Sequence, residues 1–324
     1  MNNLLHDKIL GCLAGGLIGD AMGAPVECWH YEKIQREFGE INDFNGAGTD
    51  DSAIKLILCE ALIEHNGHAT ADEFAASFLR NTKFAHLFYI PVKNMLCKLE
   101  DNLELPVHAG LGNQPSSSSA MAIAPMGIVN ACNPRQAALE TYGVAGLIHA
   151  GSSSFCRDAA CAVAAAVAEA MRPGAAVDAV LDASTAYLHK TSAAEMAGCI
   201  REVLGLAKSL GDYKAFRAAF YERHLQRQLC DSRETVPCAL ALFYLAGGDP
   251  AKAVVYGANF GRDADTIATM AGAVAGAFAG ASALPRAWLD KLPPEQEKLA
   301  RDLAEVARKK ASEAEAALSA FRKM

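Results

Sequence analysis

Two short runs of acidic and hydroxyl residues, about 210 residues apart, are the stretches of this sequence best suited to chemistry. The first run is Gly48-Thr49-Asp50-Asp51-Ser52, and the second is Gly261-Arg262-Asp263-Ala264-Asp265-Thr266. Each run opens a predicted helix, and threonine and aspartate are common residues at helix N-termini. Capping explains one such residue in each run, but it explains the crowding of six less well. The six are Thr49, Asp50, Asp51, Asp263, Asp265 and Thr266.

The crowded carboxylates favour a hard divalent cation. Adjacent carboxylates repel each other and raise one another's pKa, and a bound cation removes that cost. Mg²⁺ prefers oxygen ligands at about 2.1 Å and keeps several waters, so a few carboxylates and threonine hydroxyls suffice. Neither run contains a histidine or cysteine, which disfavours zinc. Two runs with this many oxygen ligands can hold two ions that clamp a substrate together, although spacing alone supports capping equally well.

A third feature is a turn of small residues that ends in an acid. The helix predicted over residues 6–22 stops at Gly23 and Pro25, and the chain then reaches Glu27. This carboxylate is either a solvent-facing side chain after an ordinary glycine stop or a mobile group that binds metal or acts on water. The residues alone do not rank the two interpretations.

A fourth feature is the loop of residues 110–119, GLGNQPSSSS, which leads into a predicted helix. Backbone N–H groups in a glycine- and serine-rich loop at a helix N-terminus can cradle a phosphate. Most such loops are only connections, so this signal is weak by itself.

These features must be positioned by helices. The 324 residues are 52% hydrophobic but only 7% aromatic, and much of the apolar content is alanine and other helix-compatible residues. Few stretches alternate with a period of two, so we predict an all-α fold. The predicted helices cover residues 6–22, 51–65, 71–81, 85–99, 120–131, 134–148, 157–171, 175–187, 191–210, 212–223, 234–246, 250–257, 266–280 and 296–322.

Composition also bears on the partners and location of the protein. The net charge of −7 argues against a general nucleic-acid binder, which needs a surface rich in lysine and arginine. The ten cysteines form no CxxC pair, and we interpret them as reduced thiols rather than a disulfide framework. No signal peptide is visible, so we expect a cytoplasmic protein.

Two further segments need an interpretation. Residues 267–284 are the best candidate for a membrane span, but three glycines and many alanines favour a buried, closely packed helix, so we expect no membrane association. Residues 293–322 are charged and amphipathic, which favours a solvated outer helix over a partner-binding one. We therefore predict a single domain over residues 1–324, with the segment 293–324 packed on it.

Four motifs, in this order, resemble the ADP-ribosylglycohydrolase family over residues 7 to about 285. They are GDAMGAPVE at 19–27, GAGTDDS at 46–52, GNQPSSSSAMAIAPMG at 112–127 and GRDADTIATMAGAVAG at 261–276. The resemblance implies a single-domain, compact multi-helix bundle with a binuclear Mg²⁺ or Mn²⁺ centre in a cleft. It implies hydrolysis of the N- or O-glycosidic bond between ADP-ribose and a protein side chain or small acceptor.

The resemblance also implies roles for individual residues. Thr49, Asp50 and Asp51 would bind one ion, Asp263 and Thr266 the other, and Asp265 would bridge both. Glu27 stands where the family has a flexible acid, and it joins Asp50 and Asp265 as a candidate catalytic residue. The residues implied to contact substrate are Gly112 and Asn113 at the diphosphate, the loop serines Ser117, Ser118 and Ser119, and His149 and Gly151 in the motif GLIHAGS.

The sequence departs from the family pattern at Arg262 and Ala264, where many relatives have Gly and Thr, and at Ala122, where many have Arg. Two other functions compete with the glycohydrolase. One is an inactive nucleotide-binding or structural protein on the same scaffold, because a fold does not guarantee a chemistry. The other is a metal-dependent nucleoside or phosphoester hydrolase, which product analysis would distinguish.

Overall fold

A computed structural model describes residues 4–46 and 48–324 of the chain. The prediction of an all-α fold is confirmed: beyond the isolated bridges His30–Gly261 and Leu111–Ala150, the described residues form helices, turns and loops. The α-helices are α1 Leu4–Gly23, α2 Tyr31–Phe38, α3 Asp50–Glu64, α4 Ala71–Arg80, α5 Ile90–Glu100, α6 Pro106–Ala109, α7 Ala124–Val129, α8 Pro134–Ala145, α9 Phe155–Ala170, α10 Val177–Ala186, α11 Ala194–Leu210, α12 Tyr213–Arg223, α13 Ser232–Leu245, α14 Pro250–Ala258, α15 Ala264–Ala279, α16 Arg286–Leu289 and α17 Glu295–Arg322. Short 3-10 turns cover Ala24–Val26, Thr82–Phe84, Gly151–Ser153 and Ala281–Ala283.

The two glycine-rich helices α1 and α15 are in backbone contact at the centre of the bundle. Small residues recur every four positions on one face of each helix, where side chains of the same face lie above one another. A Cβ atom on Gly15 would overlap the carbonyl oxygen of Gly272, and one on Gly19 would overlap that of Ala268. The close packing of the two helices therefore requires glycine at positions 15 and 19, where a side chain would overlap the facing backbone.

The α1–α15 crossing is antiparallel, and this determines where the acidic residues lie. Gly11 contacts Gly276 at one end, and Gly23 lies against the backbone of Asp265 at the other. The turn that follows α1 is thereby placed beside the first residues of α15. The crossing thus brings Glu27 and the second acidic run together although they are far apart in sequence.

Several predicted helix boundaries shift because of proline. The helix predicted over 85–99 begins at Ile90 and the one predicted over 120–131 begins at Ala124, with Pro91 and Pro125 in their first turns. Proline suits this position because it lacks the N–H that would be unpaired there. Helix α2 was not predicted, because its apolar residues Tyr31, Ile34 and Phe38 recur at helical spacing over only eight residues.

The segment singled out as a membrane-span candidate, 267–284, forms α15 and the following turn, and α15 is buried. Among the described residues, the segment Leu4–Val26 is the one long and apolar enough to cross a membrane by length and composition. Within its most apolar stretch, 83% of the residues are buried inside the protein, as in a central helix of a globular core.

Candidate metal centre

Glu27, Asp263 and Asp265 bring their carboxylate oxygens within 4.8 Å of one another. Asp263 and Asp265 are buried whereas Glu27 is exposed, so the cluster opens to solvent on the side of Glu27. Two backbone hydrogen bonds hold the turn in place: the N–H of Cys28 donates to Arg262 O at 2.7 Å and the N–H of Arg262 donates to Trp29 O at 2.8 Å. The turn after α1 and the loop before α15 therefore form one unit.

The first acidic run joins this cluster through Asp51. The hydroxyl of Thr266 donates a hydrogen bond of 3.2 Å to Oδ2 of Asp51, and both side chains are buried. Within the described residues, Oδ1 of Asp51 and Oδ1 of Asp265 are buried without a hydrogen-bond partner. Buried charged oxygens are normally paired, because desolvation is costly. Two such unpaired oxygens are suited to binding a cation.

Helix capping accounts for Thr49 but not for the buried aspartates. The Thr49 hydroxyl is at the N-cap of α3 and accepts a hydrogen bond from the N–H of Asp51 at 3.4 Å. Asp263 is at the N-cap of α15, yet its side chain makes no capping hydrogen bond. It instead accepts a hydrogen bond of 3.1 Å from the Ser117 hydroxyl.

The carboxyl groups of the centre have raised pKa values, so they resist being ionised at the same time. Burial, reinforced by the charge of Glu27, raises the pKa of Asp263 to about 7. Burial also raises the pKa of Asp50 to about 6, against the effect of a hydrogen bond that the N–H of Tyr89 donates at 3.2 Å. The pKa values of Asp51 and Asp265 rise well above 3.8 because of burial and neighbouring carboxylates. A cation among these groups would restore their ionised forms.

Asp20 positions the first run, a role that the sequence did not suggest. This buried residue of α1 accepts hydrogen bonds from the N–H of Thr49 at 2.9 Å and from the hydroxyl of Ser52 at 2.6 Å. A Cβ atom on Gly48 would overlap Oδ2 of Asp20, so the contact also requires a glycine there. The signal in the sequence was an acidic residue in the apolar part of α1 that follows Lys8, and such a residue is buried only when it has partners.

The glycine- and serine-rich loop lies against the acids through its buried serines. Besides the contact of Ser117 with Asp263, the hydroxyls of Ser116 and Ser119 lie 3.1 and 2.6 Å from the two ring nitrogens of His149. His149 is fully buried, and burial lowers its pKa to about 4, so the ring is neutral at pH 7. His149 thus supports the serine loop from behind.

Other loop residues predicted to contact substrate have varied surroundings. The side-chain amide of Asn113 donates to the carbonyl oxygens of Pro91 and Ile148 at 3.0 and 2.8 Å, which ties the loop to α5. Ser118 is buried, and its hydroxyl accepts a hydrogen bond of 2.9 Å from Ser116. Gly112 and Gly151 are exposed and have φ angles of +77° and +66°, a conformation that favours glycine.

Two connections at the edge of the centre could not be predicted from the sequence. The N–H of Tyr89 contacts Asp50, while its hydroxyl accepts a hydrogen bond of 3.0 Å from Gln114, so Tyr89 links the first run to the loop. Arg262 forms two hydrogen bonds, of 2.7 and 2.8 Å, with the fully buried carboxylate of Glu234. Spacing gives no signal for either pair, because the partners lie on separate elements.

Arg262 also holds the segment between α12 and α13. Its guanidinium donates to the carbonyl oxygen of Gln226 at 2.7 Å, and the N–H of Gln226 donates to Glu234 at 2.6 Å. Arg262 has a φ angle of +61°, a left-handed conformation that costs about 1 kcal/mol for a residue with a side chain. The buried ion pair offsets this strain and fixes the residue next to Asp263.

Comparison with known proteins agrees with this arrangement. The family model described as ADP-ribosylglycohydrolase matches residues 1–313, so the chain belongs to the ADP-ribosylglycohydrolase family and the resemblance is confirmed. Membership supports glycohydrolase activity and metal dependence in general terms.

Individual relatives are distant but cover most of the chain. The chain is 28% identical over 307 residues to the uncharacterized protein YegU of Escherichia coli K12, covering 86% of this chain and 89% of the relative. It is 24% identical to the ADP-ribosyl-[dinitrogen reductase] glycohydrolase of Rhodospirillum rubrum, covering 89% of this chain and 91% of the relative. The fold is similar to that of a solved chain described as an ADP-ribosylglycohydrolase-related protein complex, with a TM-score of 0.71, 23% identity and coverage of 94% and 99% of the two chains.

Proposed function

We propose that this protein hydrolyses the N- or O-glycosidic bond between ADP-ribose and a protein side chain or small acceptor, with a pair of Mg²⁺ or Mn²⁺ ions. The observation that supports this most is the cluster of Glu27 with the buried Asp263 and Asp265, to which the hydrogen bond from Thr266 joins Asp51. Family membership supplies the class of reaction. The identity of the metal and of the bond that is cleaved is part of this proposal.

The residues present fit a centre of hard cations. The donor set consists of carboxylate and hydroxyl oxygens, which Mg²⁺ and Mn²⁺ both accept. The unpaired oxygens of Asp51 and Asp265 are the ones that would bind first, since they lack any other partner among the described residues. In our assignment Thr49, Asp50 and Asp51 would hold one ion, Asp263 and Thr266 would hold the other, and Asp265 would be available to both.

When bound, the ions supply positive charge that orients the ribose hydroxyls and the attacking water. The side chains carry out the rest of the chemistry. Glu27 is the exposed carboxylate of the cluster. It accepts a proton from the water while the oxygen of that water forms a bond to the anomeric carbon. The glycosidic bond to the acceptor nitrogen or oxygen breaks, and the acceptor leaves with the proton that Glu27 took from the water. The hydroxyl of Ser117 keeps Asp263 in place through its hydrogen bond.

The experiment that tests this function is a product assay on a panel of substrates. Metal-loaded protein is incubated with arginine- and serine-ADP-ribosylated peptides, ADP-ribosylated nucleic acid and small ADP-ribosides, and released ADP-ribose is measured. The account predicts free ADP-ribose from at least one substrate and none from the Asp265→Asn variant. Binding of ADP-ribose without any release would identify an inactive binding protein instead, and a cleaved diphosphate would identify a phosphoester hydrolase.

We further propose that the protein acts in the cytoplasm. All ten cysteines lie in the described part of the chain and are free, and several, such as Cys12, Cys59 and Cys238, are buried. Free thiols persist in a reducing compartment. Burial raises the pKa of Cys12 to about 12, so this thiol stays protonated and unreactive.

A further inference from the structure

The C-terminal helix α17 divides into a packed part and an exposed part. Its buried residues are Ala300, Leu303, Ala304, Val306, Ala307 and Lys310. The ammonium group of Lys310 donates to Gly67 O at 2.9 Å and also pairs with Glu140, and one turn further the exposed carboxylate of Glu313 lies 3.2 Å from Nε2 of His68. Every residue from 311 to 324 is exposed, although the helix continues to Arg322. About two and a half turns of helix, from Ala314 to Arg322, therefore extend beyond the last of these polar contacts.

The exposed part keeps the apolar face of the packed part. At a spacing of three or four residues, the row of Leu303 and Ala307 continues through Ala311, Ala314, Leu318 and Phe321. Leu318 is 49% exposed and Phe321 is 72% exposed, so the row presents large apolar side chains to solvent. The sequence favoured a solvated outer helix for this segment, but the exposed row leaves an apolar stripe that the packed body does not cover.

A cavity lies at the base of this exposed row. It has a volume of about 570 Å³ and lies between α17 and the region of α7 and α8. Its lining combines apolar residues, among them Leu5, Ala311 and Ala314, with polar ones such as Gln136 and Glu140. The small alanines of α17 thus leave space beside the body, while the large Phe321 is at the far end of the same face.

The charges of the exposed part are arranged so that two antiparallel copies of it attract each other. Glu313 and Glu315 are near the body, whereas Arg322 and Lys323 are at the tip. If two such helices pair in antiparallel fashion around Ala317 and Leu318, each acidic end faces a basic end. Parallel pairing would bring like charges together, which is destabilising.

We infer that the exposed part of α17 is a homodimerisation surface, which pairs antiparallel with the same segment of a second copy of this chain. Antiparallel pairing centred between Ala317 and Leu318 places Phe321 of each copy opposite Ala314 of the other, at the edge of the cavity. A large side chain then meets a small one, as close packing requires. The resulting twofold interface is closed, because the same patch serves on both copies.

The dimer leaves the metal centre free. The exposed part begins beside Asn66, whose side-chain oxygen accepts a hydrogen bond of 2.7 Å from Lys309 and which follows the C-terminus of α3. The acidic run is at the N-terminus of α3, and a helix of 15 residues spans about 22 Å. Changes in the exposed part of α17 therefore leave hydrolysis unchanged.

Sedimentation velocity of the full chain over a concentration series tests the proposal. We expect a concentration-dependent monomer–dimer equilibrium for the unmodified protein and a monomer for Phe321→Glu. The matched control is Ala316→Glu, which adds the same charge on the opposite, exposed face of the helix and should leave the dimer intact. Circular dichroism verifies that both variants keep their helices, since the substituted residues are exposed.

Charge reversal tests the antiparallel orientation. The double variants Arg322→Glu with Lys323→Glu and Glu313→Lys with Glu315→Lys should each be monomeric, and the chain with all four changes should dimerise again. A monomer at every concentration for the unmodified protein would overturn the proposal. So would a dimer that persists in Phe321→Glu, or a four-fold reversed chain that stays monomeric. None of these outcomes affects the release of ADP-ribose, which tests the proposed function separately.

Discussion

The hydroxyl of Thr266 donates a hydrogen bond of 3.2 Å to the carboxylate of Asp51 across 215 residues of chain. This bond connects the first turns of α3 and α15, so the N-termini of both helices face the same group of buried carboxylates. The positive ends of two helix dipoles therefore converge on the buried carboxylates and partly offset their repulsion. The remaining repulsion is what bound cations would remove.

The first prediction concerns Asp265→Asn in the absence of metal. We expect this variant to be more stable than the parent by about 1–2 kcal/mol, because it removes one of several crowded, buried carboxylates. In Mg²⁺ the order reverses, since the parent gains stability from binding and the variant gains little. Thermal unfolding with EDTA and with Mg²⁺ measures both. Equal stabilisation of parent and variant by Mg²⁺ would contradict the assignment of Asp265 as a ligand.

The second prediction is a pH dependence of the metal-free protein. The pKa of Asp263 is about 7 in the folded chain against 3.8 as the ordinary value, and that of Asp50 is about 6. Folding therefore favours the protonated forms. Their contribution to stability is fully present below about pH 4 and is lost as the pH rises to about 7. The free energy of unfolding, measured by urea titration in EDTA, should thus fall over this range.

Asp263→Asn supplies the control for the pH prediction. Removing this titrating group should flatten the decline in stability between pH 4 and pH 7. A decline with the same slope in the variant would show that other groups cause it.

The third prediction concerns the ion pair of Arg262 and Glu234. Arg262→Gly should destabilise the protein by about 3–5 kcal/mol although glycine suits its φ angle, because Glu234 is left buried without its partner. The double variant Arg262→Gly with Glu234→Gln should recover much of this loss, since the buried charge is gone. Urea unfolding of the two variants and the parent measures both effects. Glycine at position 262 relieves a backbone strain of about 1 kcal/mol. A net loss of stability below about 1 kcal/mol in Arg262→Gly would contradict the account.

These contacts mark the limit of what the sequence predicts. Crowding in the two acidic runs and the small residues around Glu27 could be recognised in the sequence, because each signal is local. The contributions of Asp20, Tyr89 and Glu234 depend on how distant helices pack, and no spacing along the chain encodes that. Likewise, His149 was expected to line the substrate pocket by family resemblance, whereas the structure buries its ring behind the serine loop.

The fourth prediction concerns the α1–α15 crossing. Gly15→Ala should destabilise the protein by about 1–3 kcal/mol or more, because the new methyl group overlaps the backbone of Gly272. It should also lower metal affinity, since the crossing places Glu27 beside Asp265. The matched control is Gly205→Ala in α11, where the added methyl group meets open space, and which should gain about 0.5–1 kcal/mol. Similar effects of the two substitutions on unfolding would exclude the crossing as the cause.

The binding of metal by the converging acids is tested most directly by anomalous diffraction from crystals soaked in Mn²⁺. The account predicts two anomalous peaks at the centre, both in contact with Asp265, one shared with Asp51 and the other with Asp263. A single peak away from these residues, or no peak at Mn²⁺ concentrations that support hydrolysis, would contradict it.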